Sequence, residues 1–598
     1  MAKSGGYSLN DIYQGGYSSF NSDYGSVFSG YHVSAKNFGL TTDPRTADIL
    51  KDASAKFATG VKHMEVSAVS PEVFESIPEQ HLKEMKRLAK LTGTEISVHA
   101  PIVEPSGIGR EGFSETNRQA VERQMLDAVR RSHEINPDGN IPVTFHSSAS
   151  IPQPVTTKGA AFPEETYIIN EETGAIGRLP IKQRTFPGEE IKKGEENLYV
   201  GAELKKINQD QWSEGIRNMA YYANIGEREI KDYELLTKHA EAERAKGKII
   251  TEAETEAENL FNRGTSFLSD SYRQLQNMFE IANKYGSESD RKILNEFANK
   301  IRDKAEDIKK IKDLHKSAEL RREIIDEGAR VFNQIGELPP QIYKPLDEFA
   351  REKTVQSFAD VAFNAFSDKK IGNFDASKTP IISIENPPAG GAFSRGSELK
   401  DVVEKSREKF IDLAVDKGMD RKEAKAAAEK IIGVTWDVGH INMLRKYGYK
   451  SEDIVKETEA VKPLIKHIHL SDNFGLEHTE LPMGMGNVPL KEIMEKIGAK
   501  GDEVKKIIEA GNWWQHFKTP PFQETLEAFG SPIYGMKMAP YWNQYLGLEQ
   551  GYYGGLAGQW LPQNNYDTFG GGFSQLPSEL GGQRAGAQGS RMSGRGME

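Results

Sequence analysis

Short apolar runs with alternating polar positions recur along the chain, and stretches with three- and four-residue apolar spacing lie between most of them. The alternating runs predict β-strands, and the longer stretches predict helices at 78–91, 115–135, 353–366, 398–417 and 488–497. Strands that alternate with helices are typical of parallel sheets, and eight strands are the number that a β/α barrel requires. The eight runs are GYHVSA (30–35), VKHMEVSA (61–68), EISVHAP (95–101), PVTFHSS (142–148), PIISIENP (380–387), GVTWDVGH (433–440), IKHIHLSD (465–472) and VKKIIEAG (504–511).

The connection after the fourth predicted strand is much longer than the others and predicts an insertion over 151–352. It opens with a predicted hairpin, TYIINEETGAIGRL (166–179), and continues as highly charged helices. Because the insertion leaves the C-terminal end of a barrel strand, where barrel active sites lie, we predict a lid or arm. A contact between subunits of an oligomer is the alternative. One helix carries an apolar stripe formed by Leu294, Phe297, Ile301, Ala305 and Ile308.

The two ends of the chain differ in composition from the rest. Residues 1–29 are rich in Gly, Ser and Tyr, and residues 534–598 are rich in Gly, Gln and Asn. Neither end has helical or strand periodicity, so both are predicted to be disordered, low-complexity tails. The two barrel halves are therefore assigned to 30–150 and 353–533. The resulting prediction is a (β/α)8 TIM barrel with a large, mainly helical insertion and disordered termini, which accounts for the mean hydropathy of −0.60.

Composition excludes several classes of protein. The 598 residues contain no cysteine, which excludes disulfide frameworks, thiolate metal sites and cysteine nucleophiles. No apolar run is long enough to span a membrane and the N-terminus has no secretory signal pattern, so a cytoplasmic protein is expected. The net charge of −11 gives no general attraction to nucleic acid, and no basic or aromatic groove is recognisable in the predicted barrel loops.

Histidine and carboxylate side chains stand at the ends of six predicted strands. Because the ends of barrel strands meet at one mouth, these side chains are expected to converge. Carboxylates packed together in an apolar barrel would repel one another unless cations compensate, so the pattern predicts divalent metal ions. Imidazole and carboxylate without thiolate favour zinc, with manganese, iron or cobalt as alternatives. The residues at or shortly after strand ends are His99, His146, Glu385, Asp437, His440, His469, His478 and Glu509.

The motifs SVHAP, TFHSS, IEN, WDVGHIN, HIHLSDN and LPMGMGNVPL resemble, in this order, those of xylose isomerase-like TIM barrels. Within that superfamily the pattern is most similar to the endonuclease IV group (AP endonuclease family 2), over 30–150 and 353–512. The resemblance implies two or three metal ions per chain. His478-Thr479-Glu480 departs from the Asp-x-His of the family, so the third site is expected to be altered or absent. The implied ligand sets are His99, His146 and Glu385; Glu385, Asp437, His469 and Glu509; and His440 with His478 and Glu480.

The same ligands are compatible with two reactions. The endonuclease IV resemblance implies a DNA-repair hydrolase that cleaves duplex DNA at abasic sites. The alternative is isomerisation or epimerisation of a sugar or sugar phosphate, in which Glu385 and Glu509 relay a proton and His440 binds a substrate hydroxyl. A third hypothesis is a non-catalytic barrel that presents the helical arm to partners. The hydrolase is favoured because His99 and His146 extend the site beyond a single metal ion.

Overall fold

The computed structural model describes residues 38–529 apart from 69, 161–162, 164, 182–195, 248–250, 336–338, 499–503 and 512. The predicted tails at 1–29 and 534–598 lie outside the described residues. The described strands are β1 (Phe38–Thr41), β2 (His63–Ser67), β3 (Glu95–His99), β4 (Ile108–Gly109), β5 (Gly112–Phe113), β6 (Pro142–His146), β7 (Glu165–Asn170), β8 (Ile176–Pro180), β9 (Tyr343–Pro345), β10 (Ile381–Glu385), β11 (Ile432–Asp437), β12 (Ile465–Leu470) and β13 (Lys505–Ile508).

Helices lie between most of the barrel strands, as the apolar spacing predicts. No helix within the described ranges is long and apolar enough to cross a membrane. The described α-helices are α1 (Ile49–Phe57), α2 (Pro71–Ser76), α3 (Glu79–Thr92), α4 (Glu115–Ile135), α5 (Glu196–Arg244), α6 (Thr251–Tyr285), α7 (Glu288–Lys310), α8 (Leu314–Ile335), α9 (Leu346–Ser367), α10 (Gly396–Asp416), α11 (Arg421–Ile431), α12 (Val438–Asn442), α13 (Ser451–Val461), α14 (Leu490–Ile497), α15 (Trp513–Phe517) and α16 (Phe522–Ala528).

Eight parallel strands close into a barrel, which confirms the predicted TIM-barrel fold. Their order around the barrel is β1, β2, β3, β6, β10, β11, β12 and β13, and β13 pairs with β1 to close the ring. Six of the strands lie within the runs that alternation predicts, and β11 begins one residue before its run. Because all eight strands are parallel, their C-terminal ends meet at one mouth, where the predicted histidines and carboxylates stand.

The first barrel strand differs from the prediction. The run at 30–35 lies outside the described residues, and the strand in first position is Phe38–Thr41. Its Phe38 is fully buried, and its ring centroid lies 5.3 Å from that of Phe529. A Cβ at Gly39 would approach the His63 carbonyl oxygen to 2.7 Å, so glycine permits the close strand contact at this point. This four-residue strand contains a glycine, and its alternation is therefore weaker than that of GYHVSA.

The chain divides into two compact units, a barrel unit up to Tyr167 and from Leu346, and an insertion unit of Ile168–Pro345. In the insertion unit, β7 pairs with β8 and β9, which confirms the predicted hairpin. The apolar stripe on α7 packs into a core that contains Trp212 and Phe332. Helix α7 begins with a capping box, in which Ser287 and Asp290 each accept a hydrogen bond from the other's backbone N–H.

We predict that His63 in β2, whose side chain is 12% exposed, makes the barrel less stable in acid. Burial, with repulsion from Lys505, lowers the pKa of His63 to about 3. The unfolded chain protonates this imidazole near pH 6.5, whereas the folded chain does not. The free energy of unfolding therefore retains its full value above pH 6.5. It falls below that pH, by about 2 kcal/mol between pH 7 and pH 5.

Urea unfolding followed by circular dichroism between pH 5 and 7.5 measures this effect. His63→Gln is expected to flatten the pH dependence by about this amount, whereas His516→Gln, at an exposed histidine of α15, leaves it unchanged. If the free energy of unfolding depends on pH equally in His63→Gln and in the unsubstituted chain, His63 does not cause the acid sensitivity.

Candidate metal centre and active site

Two histidines from neighbouring strands meet Glu385 at the end of β10. His99 at the end of β3 places its Nε2 atom 3.2 Å from Oε2 of Glu385. His146 at the end of β6 places its Nε2 atom 3.3 Å from the same oxygen. The strand register sets this arrangement, because His146 pairs directly with Glu385 across β6 and β10. The first predicted ligand set is therefore brought together.

The second predicted ligand set also meets at the mouth. The ligand atoms of Glu385, Asp437, His469 and Glu509 all lie within 4.8 Å of one another. Nδ1 of His469 lies 2.8 Å from Oε1 of Glu385 and 3.3 Å from Oε1 of Glu509. Glu385 thus belongs to both groups, with Oε2 facing His99 and His146 and Oε1 facing His469.

Two carboxylate oxygens indicate that this donor set fits divalent metal ions. Oε2 of Glu385 and Oδ2 of Asp437 are buried, and neither has a well-aligned hydrogen bond among the described residues, although Nε2 of His99 and Nε2 of His146 lie 3.2 and 3.3 Å from Oε2. A buried oxygen without a hydrogen bond is costly, and a buried carboxylate is stabilised by pairing with a cation or coordinating a metal. A divalent ion bound to these oxygens would offset that cost. Imidazole and carboxylate ligands without thiolate suit the first-row ions predicted from the sequence.

The pKa values of the two glutamates shift in opposite directions. Burial opposes the charged form of Glu385, but His469, His146 and His99 outweigh it and hold its pKa well below the usual range. Burial, with repulsion from Glu385 and Asp437, raises the pKa of Glu509 well above its ordinary value despite attraction to His469. Glu385 is therefore the charged centre of the site.

The histidines around Glu385 also differ from one another. Burial alone would lower the pKa of His99, but contact with Glu385 and attraction to Glu509 and Glu65 raise it to about 9. Burial, with repulsion from neighbouring imidazoles, lowers the pKa of His146 to about 3 in spite of Glu385. His469 resembles His99, because Glu509 and Glu385 outweigh burial and raise its pKa well above the ordinary value.

The third predicted ligand set is only partly assembled. Nε2 of His440 lies 2.9 Å from Nε2 of His478. Nδ1 of His440 lies 2.7 Å from the Asn386 carbonyl oxygen, which only accepts, so Nδ1 carries a proton and donates there. Glu480 lines a cavity together with Glu509. Among the described residues, no group of three or more close ligand atoms includes His440, His478 or Glu480.

Glu65 of β2 is a functional candidate that the sequence reasoning missed. It is fully buried, and its Oε2 accepts hydrogen bonds from Oγ of Ser97 at 2.9 Å and from Nε2 of His467 at 3.0 Å. Its Oε1 lies 3.1 Å from Nε2 of His469. Glu65 therefore faces one nitrogen of His469, while Nδ1 faces the candidate metal ligands. The sequence does contain a sign of this role, because Glu65 is a charged residue between Met64 and Val66 within an apolar strand.

Glu104 connects the loops that follow the strands of His99 and His146. Its Oε2 accepts hydrogen bonds from Oγ of Ser148 at 2.8 Å, and from backbone N–H groups of Ala149 at 2.8 Å and Ser150 at 3.0 Å. Its Oε1 accepts from Oγ of Ser106 at 2.7 Å. These bonds hold the two loops that follow the ligand-bearing strands in one arrangement, and the sequence gives no direct sign of them.

The closed parallel barrel and the converging ligands define a TIM barrel with a candidate metal centre. Residues 382–529 match the family described as "Xylose isomerase-like TIM barrel", which confirms the resemblance over the second half of the barrel. This match indicates an enzyme and includes Glu385, Asp437, His469 and Glu509. His99 and His146 lie before the matched residues.

A search of solved structures gives a similar chain described as "Crystal structure of D-tagatose 3-epimerase-like protein". The similarity covers 79% of this chain and 90% of that chain, with 13% sequence identity and a TM-score of 0.31. No curated protein matches the sequence.

Proposed function

We propose that this protein is a divalent-metal-dependent phosphodiesterase of the endonuclease IV type that cleaves duplex DNA at abasic sites. The observation that carries the proposal is the position of Glu385 between two ligand groups. One group is completed by His99 and His146, and the other by Asp437, His469 and Glu509. A mononuclear site would need only the second group, so the two added histidines support a centre of two ions.

We assign each ion to one of the two ligand groups. His99, His146 and Glu385 would hold the first, and Glu385, Asp437, His469 and Glu509 would hold the second. Zinc is the preferred ion because the set combines imidazole with carboxylate and lacks thiolate. Divalent ions at these positions supply an activated water and stabilise charge on a phosphate group.

Residues of the chain would position the phosphodiester and transfer protons from the attacking water and to the leaving oxygen. The side chain of Glu385 is 1% exposed, whereas that of Glu509 is 15% exposed, so Glu509 is the more accessible carboxylate. We assign to Glu509 proton exchange with the substrate, and to Glu385 the alignment of the site. Because Nδ1 of His440 donates to the Asn386 carbonyl oxygen, Nε2 of the neutral ring accepts; it faces Nε2 of His478 and suits a hydrogen bond from a substrate hydroxyl.

Incision of an end-labelled duplex with one abasic site tests this function. We expect cleavage on the 5′ side of the lesion, and a rate that falls on the order of 10³-fold in Glu385→Gln. Glu408→Gln, at an exposed glutamate of α10, is the matched control and should retain full activity. An incision rate that is the same in Glu385→Gln and Glu408→Gln would contradict the proposal.

A sugar isomerase or epimerase is the second candidate, and a specific arrangement favours it. Oε1 of Glu385 and Oε1 of Glu509 face the same Nδ1 atom of His469, which places two carboxylates together as a proton relay requires. A cavity of about 440 Å³ beside Glu509 has the size of a small-molecule site. Deuterium incorporation from D₂O into a ketose, without incision of abasic DNA, would support this candidate over the hydrolase.

A further inference from the structure

The cavity of about 440 Å³ lies in the barrel unit beside Glu509 and Glu480. Its walls come from the segment after β1, from α1, and from α15 with the turn that follows it. Ligand sites for small molecules commonly have volumes of about 300–1,000 Å³ and combine aromatic walls with a few polar groups. The cavity meets this description, since Trp513, Trp514 and Lys518 line it.

The two tryptophan rings are fixed by neighbours. The Trp513 and Phe517 ring centroids are 4.2 Å apart, and the Lys56 ammonium lies 5.5 Å from the Trp514 ring centroid. Nε2 of Gln515 donates a hydrogen bond to Oδ2 of Asp43 at 3.0 Å, which ties α15 to the segment after β1. Rings held in this way offer a preformed apolar surface, on which the C–H face of a sugar can pack.

Three cations line the cavity, together with the carboxylates of Glu480 and Glu509 and those that pair with two of the cations. Nζ of Lys56 donates to Oδ2 of Asp52 at 2.6 Å, and Nε of Arg45 donates to Oδ1 of Asp43 at 3.1 Å, so both cations are neutralised. Lys518 is exposed, and no ion pair to it is present among the described residues. An exposed ammonium without a carboxylate partner is suited to bind a phosphate group.

The backbone of Lys518 is in the left-handed region. Its φ is +57°, and its N–H donates to the Trp514 carbonyl oxygen at 3.0 Å, directly after α15 ends. Glycine is the usual residue at such a helix end, and a side chain there costs roughly 1–2 kcal/mol. A strained lysine is therefore present where glycine would be more stable, which agrees with a role in binding.

We propose that this cavity binds a sugar phosphate unit, with the sugar against Trp513 and Trp514 and the phosphate against Lys518. The proposal rests on the function proposed for the same site and specifies its substrate class. The unit is either a free sugar phosphate or the sugar phosphate of an abasic residue within a DNA strand. Glu509, which lines the same cavity, would then lie beside the bound sugar.

Binding measurements on the metal-loaded full chain test the proposal. The probes are deoxyribose 5-phosphate, and a duplex carrying a tetrahydrofuran abasic residue with a phosphorothioate linkage on its 5′ side. Lys518→Gly is expected to weaken binding about tenfold and to lower the slope of log affinity against log salt by about 1. Thermal stability should stay equal or rise, because glycine relieves the left-handed backbone. Trp514→Leu should weaken binding without a change in the salt slope.

Lys417→Gly is the matched control, since Lys417 is an exposed lysine at the end of α10, outside the cavity wall. Equal weakening in Lys417→Gly, or unchanged affinity for both probes in Lys518→Gly, would overturn the subsite. If the subsite fails while Glu385→Gln still abolishes incision, the phosphodiesterase proposal stands. If deoxyribose 5-phosphate binds through Lys518 and no abasic duplex binds or is cleaved, the subsite stands and the phosphodiesterase proposal fails.

Discussion

Glu385→Gln is expected to remove both metal ions from the protein, whereas His146→Gln is expected to remove only one. Glu385 contributes to both ligand groups, and His146 contributes only to the group with His99. Loss of a direct ligand should exceed the roughly 10–100-fold weakening that follows loss of an outer hydrogen-bond partner. Elemental analysis after dialysis should therefore give two ions per chain for the unsubstituted protein, one for His146→Gln and none for Glu385→Gln.

Two controls distinguish the loss of a metal ligand from unfolding of the protein. Circular dichroism should show the same helix content in all variants, because glutamine retains the shape of Glu385 and the barrel strands remain paired. Glu408→Gln should keep two ions, since Glu408 is exposed on α10. Two ions retained by Glu385→Gln would exclude a shared ligand, and no ions in the unsubstituted protein after metal-replete expression would exclude the centre itself.

Much of the barrel could be predicted from the sequence because six of the strands combine an apolar run with a histidine or carboxylate at its end. Glu385 and His146 end apolar strands and are each followed by a loop, so the strand and its ligand can be recognised in the same five residues. The first strand could not be predicted in this way. Phe38–Thr41 is short and is fixed by contacts with His63 and Ile507, which are distant in sequence.

The candidate site was predictable only for residues that end strands. Glu65 lies within β2, and its role depends on His467 and His469 across the barrel, which no local pattern reveals. The cavity next to Glu509 depends on the approach of α15 to the segment after β1. The adjacent tryptophans in NWWQHFK were a visible sign of an aromatic wall, but their proximity to Lys56 requires the fold.

Asp472→Asn is expected to destabilise the barrel unit by about 3 kcal/mol and to disrupt the Gly-rich loop after β12. Asp472 is buried. Its Oδ2 accepts hydrogen bonds from the N–H groups of Gly484 and Gly486, both at 2.9 Å. Its Oδ1 accepts from the N–H groups of Val488 at 3.0 Å and Asn473 at 2.9 Å. The asparagine NH₂ group would face two of these donors, and each lost bond to a charged acceptor costs about 1.5–3 kcal/mol.

Urea unfolding and incision assays on the same preparation measure both effects. The loop closes tightly on Asp472, since a Cβ atom at Gly486 would lie 2.4 Å from Oδ1. Weaker hydrogen bonds to residue 472 should therefore also displace the segment that contains His478 and Glu480. Activity should fall, while both metal ions remain because Glu385 and its partners are untouched. Glu477→Gln, at an exposed position in the same loop, should change neither property. Full stability in Asp472→Asn would mean that the loop is held by its glycine backbone rather than by the carboxylate.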